Sequence, residues 1–235
     1  MPRRRPQAPA VLVTCEHGGN RVPPRYQDLF TGQQALLGTH RAQDIGSLAM
    51  ARNLARRLEA PLVACTTTRL LVDLNRSAGH PRLFSEFTRK LPRAERKRIL
   101  QAYYVPYRLA VEAWTGIQRR PVLHVSSHSF TPVLDGEPRH ADIGLLYDPR
   151  RERERTLAAR WKAAILERQP GLRVRFNYPY AGRADGLTTA LRRLFPDARY
   201  AGIELEVNQR FPLSGGRDWT GLRRILSESL AAALR

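Results

Sequence analysis

Short apolar runs alternate with segments of helical periodicity along nearly the whole chain, and that alternation limits the folds open to it. "AVLVTC" (10–15), "PLVACT" (61–66), "RLLVDL" (69–74), "PVLHVSS" (121–127), "DIGLLYD" (142–148), "GLRVRFN" (171–177) and "YAGIELEV" (200–207) read as strands. Between them, Asp44 to Leu58 spaces Ile45, Leu48, Ala51, Leu54, Ala55 and Leu58 at helical intervals. Further helices are expected over about 93–118 and 151–168, after Asp185, and over 214–234. Such alternation predicts an α/β fold with helices on both faces of a sheet. At 235 residues and 42% hydrophobic content the chain suffices for one sizeable core, so a single domain is expected over residues 11–235. The first ten residues, "MPRRRPQAPA", are expected to form a basic, flexible N-terminus.

No stretch approaches the roughly 20 apolar residues of a membrane span, and the N-terminus has no apolar signal core, so a cytoplasmic protein without a membrane partner is expected. Cys15 and Cys65 are too few for a disulfide framework and lack zinc-knuckle spacing. The net charge of +19 invites a polyanion-binding reading. Yet the excess is spread through nearly every segment, with lysine only at 90, 97 and 162, and no helix-turn-helix, RNP or zinc-finger signature occurs. A dedicated nucleic-acid partner is therefore not expected.

In open α/β sheets ligands bind beyond the carboxyl ends of the strands. Three such ends are polar: Glu16-His17, Ser127-His128-Ser129, and Glu204 with Glu206. Two histidines with a carboxylate suit a catalytic metal site that leaves one position for water. Residues 204 and 206 point to the same face of a strand, where each carboxylate can raise the other's pKa toward the range a general base needs. Asp44, at the start of an amphipathic run, reads by itself as the N-cap of the helix it precedes.

"CEHGGNRVP", "DIGSLAMARNLARRL", "TRLLVDLNRS", "HVSSHSFTPVLDGEPRHADIGLLYDP", "NYPYAGRADGLTT" and "GIELEVNQ" occur in an order that resembles the N-formylglutamate amidohydrolase family, from about Val11 to Arg210. The resemblance implies an amidohydrolase domain similar to zinc carboxypeptidases and aspartoacylase, with a mixed, mostly parallel sheet. It implies hydrolysis of N-formyl-L-glutamate, or a related N-acyl amino acid, to formate and L-glutamate with one Zn2+ per chain. It places His17 and His128 on the metal, with Asp44 as third ligand and Glu16 or His40 as its rivals. Glu206 becomes the general acid/base. Asn75 and Arg76 become the binders of the substrate carboxylate, with Arg183, Arg69 or Arg210 as seconds. The chain departs from the family at Ser126, where an Asp often stands two residues before the histidine. Two further readings remain: a non-catalytic member that binds polyanions through its basic surface, and a hydrolase with Cys15 as nucleophile beside His17.

Overall fold

In the computed structural model, residues 8–235 are described; residues 1–7, most of the segment expected to be basic and flexible, lie outside them. The strands are β1 (Ala10–Cys15), β2 (Leu62–Ala64), β3 (Val122–Phe130), β4 (Val133–Leu134), β5 (Glu137–Pro138), β6 (Ile143–Leu146), β7 (Val174–Phe176) and β8 (Tyr200–Asn208). The α-helices are α1 (Gln34–Leu37), α2 (Ser47–Leu58), α3 (Arg93–Ile99), α4 (Val105–Ile117), α5 (Glu152–Arg168), α6 (Leu187–Leu194), α7 (Arg210–Ser214) and α8 (Gly216–Ala233). Six strands form one mixed sheet in the order β2-β1-β3-β8-β6-β7, and β4 and β5 form a separate hairpin. β2, β1, β3 and β8 run parallel, while β6 is antiparallel to β8 and parallel to β7.

Alternation along the central strands sorts their side chains between two different environments. Val13 and Cys15 on β1, Leu123 and Val125 on β3, and Ile203, Leu205 and Val207 on β8 share a core with α2, α5 and α8. The opposite face starts apolar, with Leu12, Val122 and Tyr200 packed among residues of α3, α4 and α6. Toward the carboxyl ends it turns polar. Thr14 lies in register with Ser126 and Ser126 with Glu204, and His128 is paired with Glu206 one step further on. Apolar packing at one end of each strand therefore carries a row of buried polar groups at the other.

"RLLVDL", expected as a strand, is instead a chain of turns. Leu70, Leu71, Val72 and Leu74 are all buried, so the run is apolar for packing rather than for sheet pairing. Its backbone carbonyls find side-chain donors in place of a ladder: Ser85 Oγ to Leu70, Thr88 Oγ1 to Leu71 and Arg108 to Leu74. Periodicity alone does not separate such a buried turn from a central strand. Between α3 and α4, Leu100–Tyr104 form a π-helical turn. Pro106 follows directly, and its missing N–H leaves the carbonyl four residues earlier without an α-helical donor. Among the described residues, no helix is long and apolar enough to cross a membrane.

Candidate active site

A cavity of about 580 Å³ opens at the carboxyl ends of β1, β3 and β8. His17, Asp44, Asp73, Asn75, Arg76, His128, Glu204 and Glu206 line it. His17 stands in the turn that follows β1, where Gly18 and Gly19 press on the β2 side. A Cβ on Gly18 would meet the Cys65 carbonyl oxygen at 2.9 Å, and one on Gly19 the Thr66 oxygen at 2.7 Å, so this turn closes only with glycine. Asp44 precedes α2 and its backbone N–H donates to the His17 carbonyl at 2.9 Å, which ties the two positions together. The N-cap of α2 is Gly46, at a left-handed φ of 86°, rather than Asp44. The Asp44 carboxylate reaches Arg69 at 2.7 Å and His128 at 2.8 Å instead. His128 lies within β3, which continues three residues past the apolar run seen in the sequence.

His17, Asp44 and His128 each offer one ligand atom, and these atoms lie within 4.8 Å of one another. Both rings aim Nδ1 at the same carboxylate oxygen: Asp44 Oδ2 is 3.4 Å from His17 Nδ1 and 2.8 Å from His128 Nδ1. Their Nε2 atoms face outward to other carboxylates, His17 to Asp73 Oδ1 at 2.7 Å and His128 to Glu16 Oε2 at 3.0 Å. Each ring thus stands between two carboxylates, and hydrogen bonds to Asp44 and Glu16 hold His128 well above the usual imidazole range in the absence of a cation; a cation at Asp44 would take the place of the hydrogen on Nδ1 while Nε2–H stays on the outer carboxylate. Three ligand-type atoms meeting in one buried place form a site for a cation. Arg69 NH2 reaches toward it, facing both His17 Nδ1 and Asp44. Two imidazoles and a carboxylate, each ring held from behind by a carboxylate, fit a divalent metal such as zinc.

Glu206 completes the cluster. It is 4% exposed, and its Oε2 has no hydrogen-bond partner among the described residues. Burial, reinforced by the nearby carboxylates of Asp44 and Glu204, pushes it up to about 8. Glu204 has a different occupation: it accepts from Thr188 Oγ1 at 2.5 Å and pairs no arginine among the described residues. Against the upward push of burial, Arg69 and His17 hold Asp44 well below the usual carboxylate range.

The rivals for the third ligand take other places. Glu16 is buried behind His128, away from the cavity, and His40 lines the wall without joining the three converging groups. Asn75 Oδ1 accepts from the Leu187 backbone N–H at 2.7 Å, which leaves its Nδ2 to face the cavity. Among the described residues Arg76 makes only long contacts, 3.4 Å to the Asp185 carbonyl and 3.8 Å to Asp73. Arg69 pairs Asp44 rather than Asp73. Arg183 lies outside this cavity: it is exposed and lines a separate cleft with Arg150, Arg151 and Arg193. The preceding Gly182 is fixed beneath Tyr147 through the Asn177 side chain, and that directs residue 183 away. Arg210 is likewise engaged elsewhere, with Asp142 at 2.9 Å. Cys15 sits in the core against Ser47, with burial pushing its thiol up to about 12, so it is no nucleophile beside His17.

Asp73, Arg82 and Tyr180 also line the cavity and were not singled out from the sequence as site residues. Asp73 stands inside the quoted "VDLNR" segment, where an acidic residue two before an Asn-Arg pair was the available signal. Tyr180 likewise stands inside the quoted "NYPYAGRADGLTT" segment, whereas Arg82 comes from a loop with no such pattern.

The family model for N-formylglutamate amidohydrolase matches residues 9–212. Among solved structures, the gene product Atu2144 from Agrobacterium tumefaciens is similar with a TM-score of 0.81 at 30% identity, covering 96% of this chain and 90% of that one. An N-formylglutamate amidohydrolase from Ralstonia eutropha JMP134 is similar in fold, with a TM-score of 0.65 at 20% identity over 97% of this chain and 95% of that one. A succinylglutamate desuccinylase from Chromobacterium violaceum aligns at a TM-score of 0.39 and 16% identity, over 96% of this chain and 61% of that one. No curated protein matches the chain.

Proposed function

The chain belongs to the N-formylglutamate amidohydrolase family and is an amidohydrolase, and from that premise we propose that it is zinc-dependent and cleaves N-formyl-L-glutamate or a closely related N-acyl amino acid. One observation carries the reading. The Nδ1 atoms of His17 and His128 and the Asp44 carboxylate converge beside Glu206, whose Oε2 has no partner among the described residues. His17, Asp44 and His128 would hold one zinc per chain. When bound, the ion supplies Lewis acidity, which polarises an amide carbonyl and acidifies water.

The remaining steps belong to the protein's own groups. Glu206 Oε2 takes the proton of the attacking water and returns it to the amide nitrogen as that bond breaks. Its burial and its carboxylate neighbours make it basic enough for the first transfer. Arg76 and the Nδ2 of Asn75 hold the substrate carboxylate, a task suited to a planar guanidinium with donors to spare. Arg69, a cation beside the reacting centre, stabilises the negative charge that develops on the carbonyl oxygen.

Metal content and formate release from N-formyl-L-glutamate, measured on wild type and His128→Ala purified without chelator or affinity tag, test the proposal. About one zinc per wild-type chain, none in the variant, and activity only in the former is the expected result. A wild type that releases formate with no bound metal would sink the zinc reading. Zinc binding without formate release would redirect the search to other N-acyl amino acids.

A further inference from the structure

We infer that Glu16 is the positioning residue for His128: a carboxylate brought in from the neighbouring strand that fixes the tautomer and orientation in which the ring offers Nδ1 to a cation. The inference rests on the metal reading above. Glu16 is 1% exposed and takes no part in lining the cavity. Burying a carboxylate is costly unless its lone pairs are satisfied, and here donors arrive from two separate elements. Tyr107 on α4 donates to Oε1 at 2.9 Å. On β3, Ser126 Oγ lies 2.6 Å and His128 Nε2 3.0 Å from Oε2.

Counting hydrogens places one on Nε2. Ser126 Oγ lies 2.8 Å from His128 Nε2 as well as 2.6 Å from Glu16. A hydroxyl has one hydrogen, and the carboxylate, having none, takes it. Towards His128 the hydroxyl oxygen can then only accept, so Nε2 must carry the ring's hydrogen. With Nε2–H held on Glu16, Nδ1 is the nitrogen that faces Asp44 Oδ2 and the one a cation bound there would take as its lone pair. With an amide at position 16, both Ser126 and the amide could donate to Nε2, which would move the hydrogen onto Nδ1 and close that position to a metal. His17 is held in the same sense by Asp73, but that carboxylate lines the cavity, whereas Glu16 is reached only through the protein interior.

Position 126 offers a relocation test, because its side chain touches both Glu16 and His128 Nε2. Zinc affinity of the full chain, by competition with a chromogenic chelator, and the visible spectrum of the cobalt-substituted protein are measured for wild type, Glu16→Gln and Glu16→Gln/Ser126→Asp. Glu16→Gln is expected to bind zinc about 10–100-fold more weakly, with an altered cobalt spectrum and an unchanged circular dichroism spectrum. The double variant, which restores a carboxylate against Nε2, is expected to recover both. Unchanged zinc affinity in a folded Glu16→Gln overturns the inference while leaving the metal site intact. Absence of zinc from wild type itself overturns the metal reading and the inference with it. Should Glu16→Gln fail to fold, the double variant alone decides: wild-type affinity and cobalt spectrum support the inference, and weak binding overturns it.

Discussion

Replacing Glu206 by Gln separates the chemistry of the site from its stability. Glu206 keeps its proton up to about 8 in the folded, metal-free protein, against 4.5 ordinarily, because it is buried beside Asp44 and Glu204. Between those values the folded chain binds more protons than the unfolded one, so this group's contribution to stability falls as pH rises. Each unit of raised pKa corresponds to about 1.4 kcal/mol, and the whole window amounts to a few kcal/mol. Glutamine occupies the same space without ionising. Metal-free Glu206→Gln should therefore match wild type near pH 5 and exceed its stability near pH 9 by about 2–4 kcal/mol. A bound cation favours the ionised carboxylate, so zinc should flatten the wild-type decline. Turnover should fall by about 10²–10⁴-fold, or about 2.7–5.4 kcal/mol in the barrier, with zinc retained. Urea unfolding of both proteins at pH 5, 7 and 9, alongside kcat and zinc content, reads all three. Parallel stability profiles would refute the electrostatic argument, and turnover within tenfold of wild type would remove Glu206 from the mechanism.

Arg76→Ala should raise KM by about 10–100-fold through loss of a charged hydrogen bond worth about 1.5–3 kcal/mol, whereas Arg183→Ala should leave KM unchanged; steady-state kinetics of the pair checks both. Against the upward push of burial, hydrogen bonds from Arg173 and the charge of Arg210 hold Asp142 below its ordinary 3.8. Its stabilisation is thus present above about pH 4 and lost as pH falls through the depressed folded value. Asp142→Asn should accordingly lower the melting temperature at pH 6 and cease to matter in strong acid, as a pH series of thermal melts would show. Cys15, with its thiol pushed up to about 12, should resist alkylation by iodoacetamide at pH 8.5 in the native protein and react once denatured. Peptide mass spectrometry that found it modified in the folded chain would contradict the core placement.

The α/β alternation and most strands are legible in the sequence because period-2 and period-3.6 patterns follow directly from backbone geometry. The histidines 17 and 128 and the Glu206 position also stand out, since polar residues at the ends of apolar runs violate the pattern around them. Asp44 reads as a cap from its place before a helix and as a ligand from the family resemblance, and only the packed loop, with its N–H on the His17 carbonyl, turned its carboxylate toward the two rings. "RLLVDL" misled because burial in a turn and burial in a strand demand the same side chains, and the donors that free its backbone from a sheet lie at Ser85, Thr88 and Arg108.

The sequence by itself determined the layers, the family and the two imidazoles, all of which depend on residues near one another in the chain or on ordered motifs. Tertiary structure alone decided what stands behind each of the two imidazoles. Glu16 and Tyr107 are separated by 91 positions, and Ser126 by 110 from Glu16, yet all meet at one carboxylate. The same packing sent Arg183 to another cleft and left Arg76 at the cavity wall. Strand register and loop closure fix these meetings, and neither leaves a mark in the local pattern of residues.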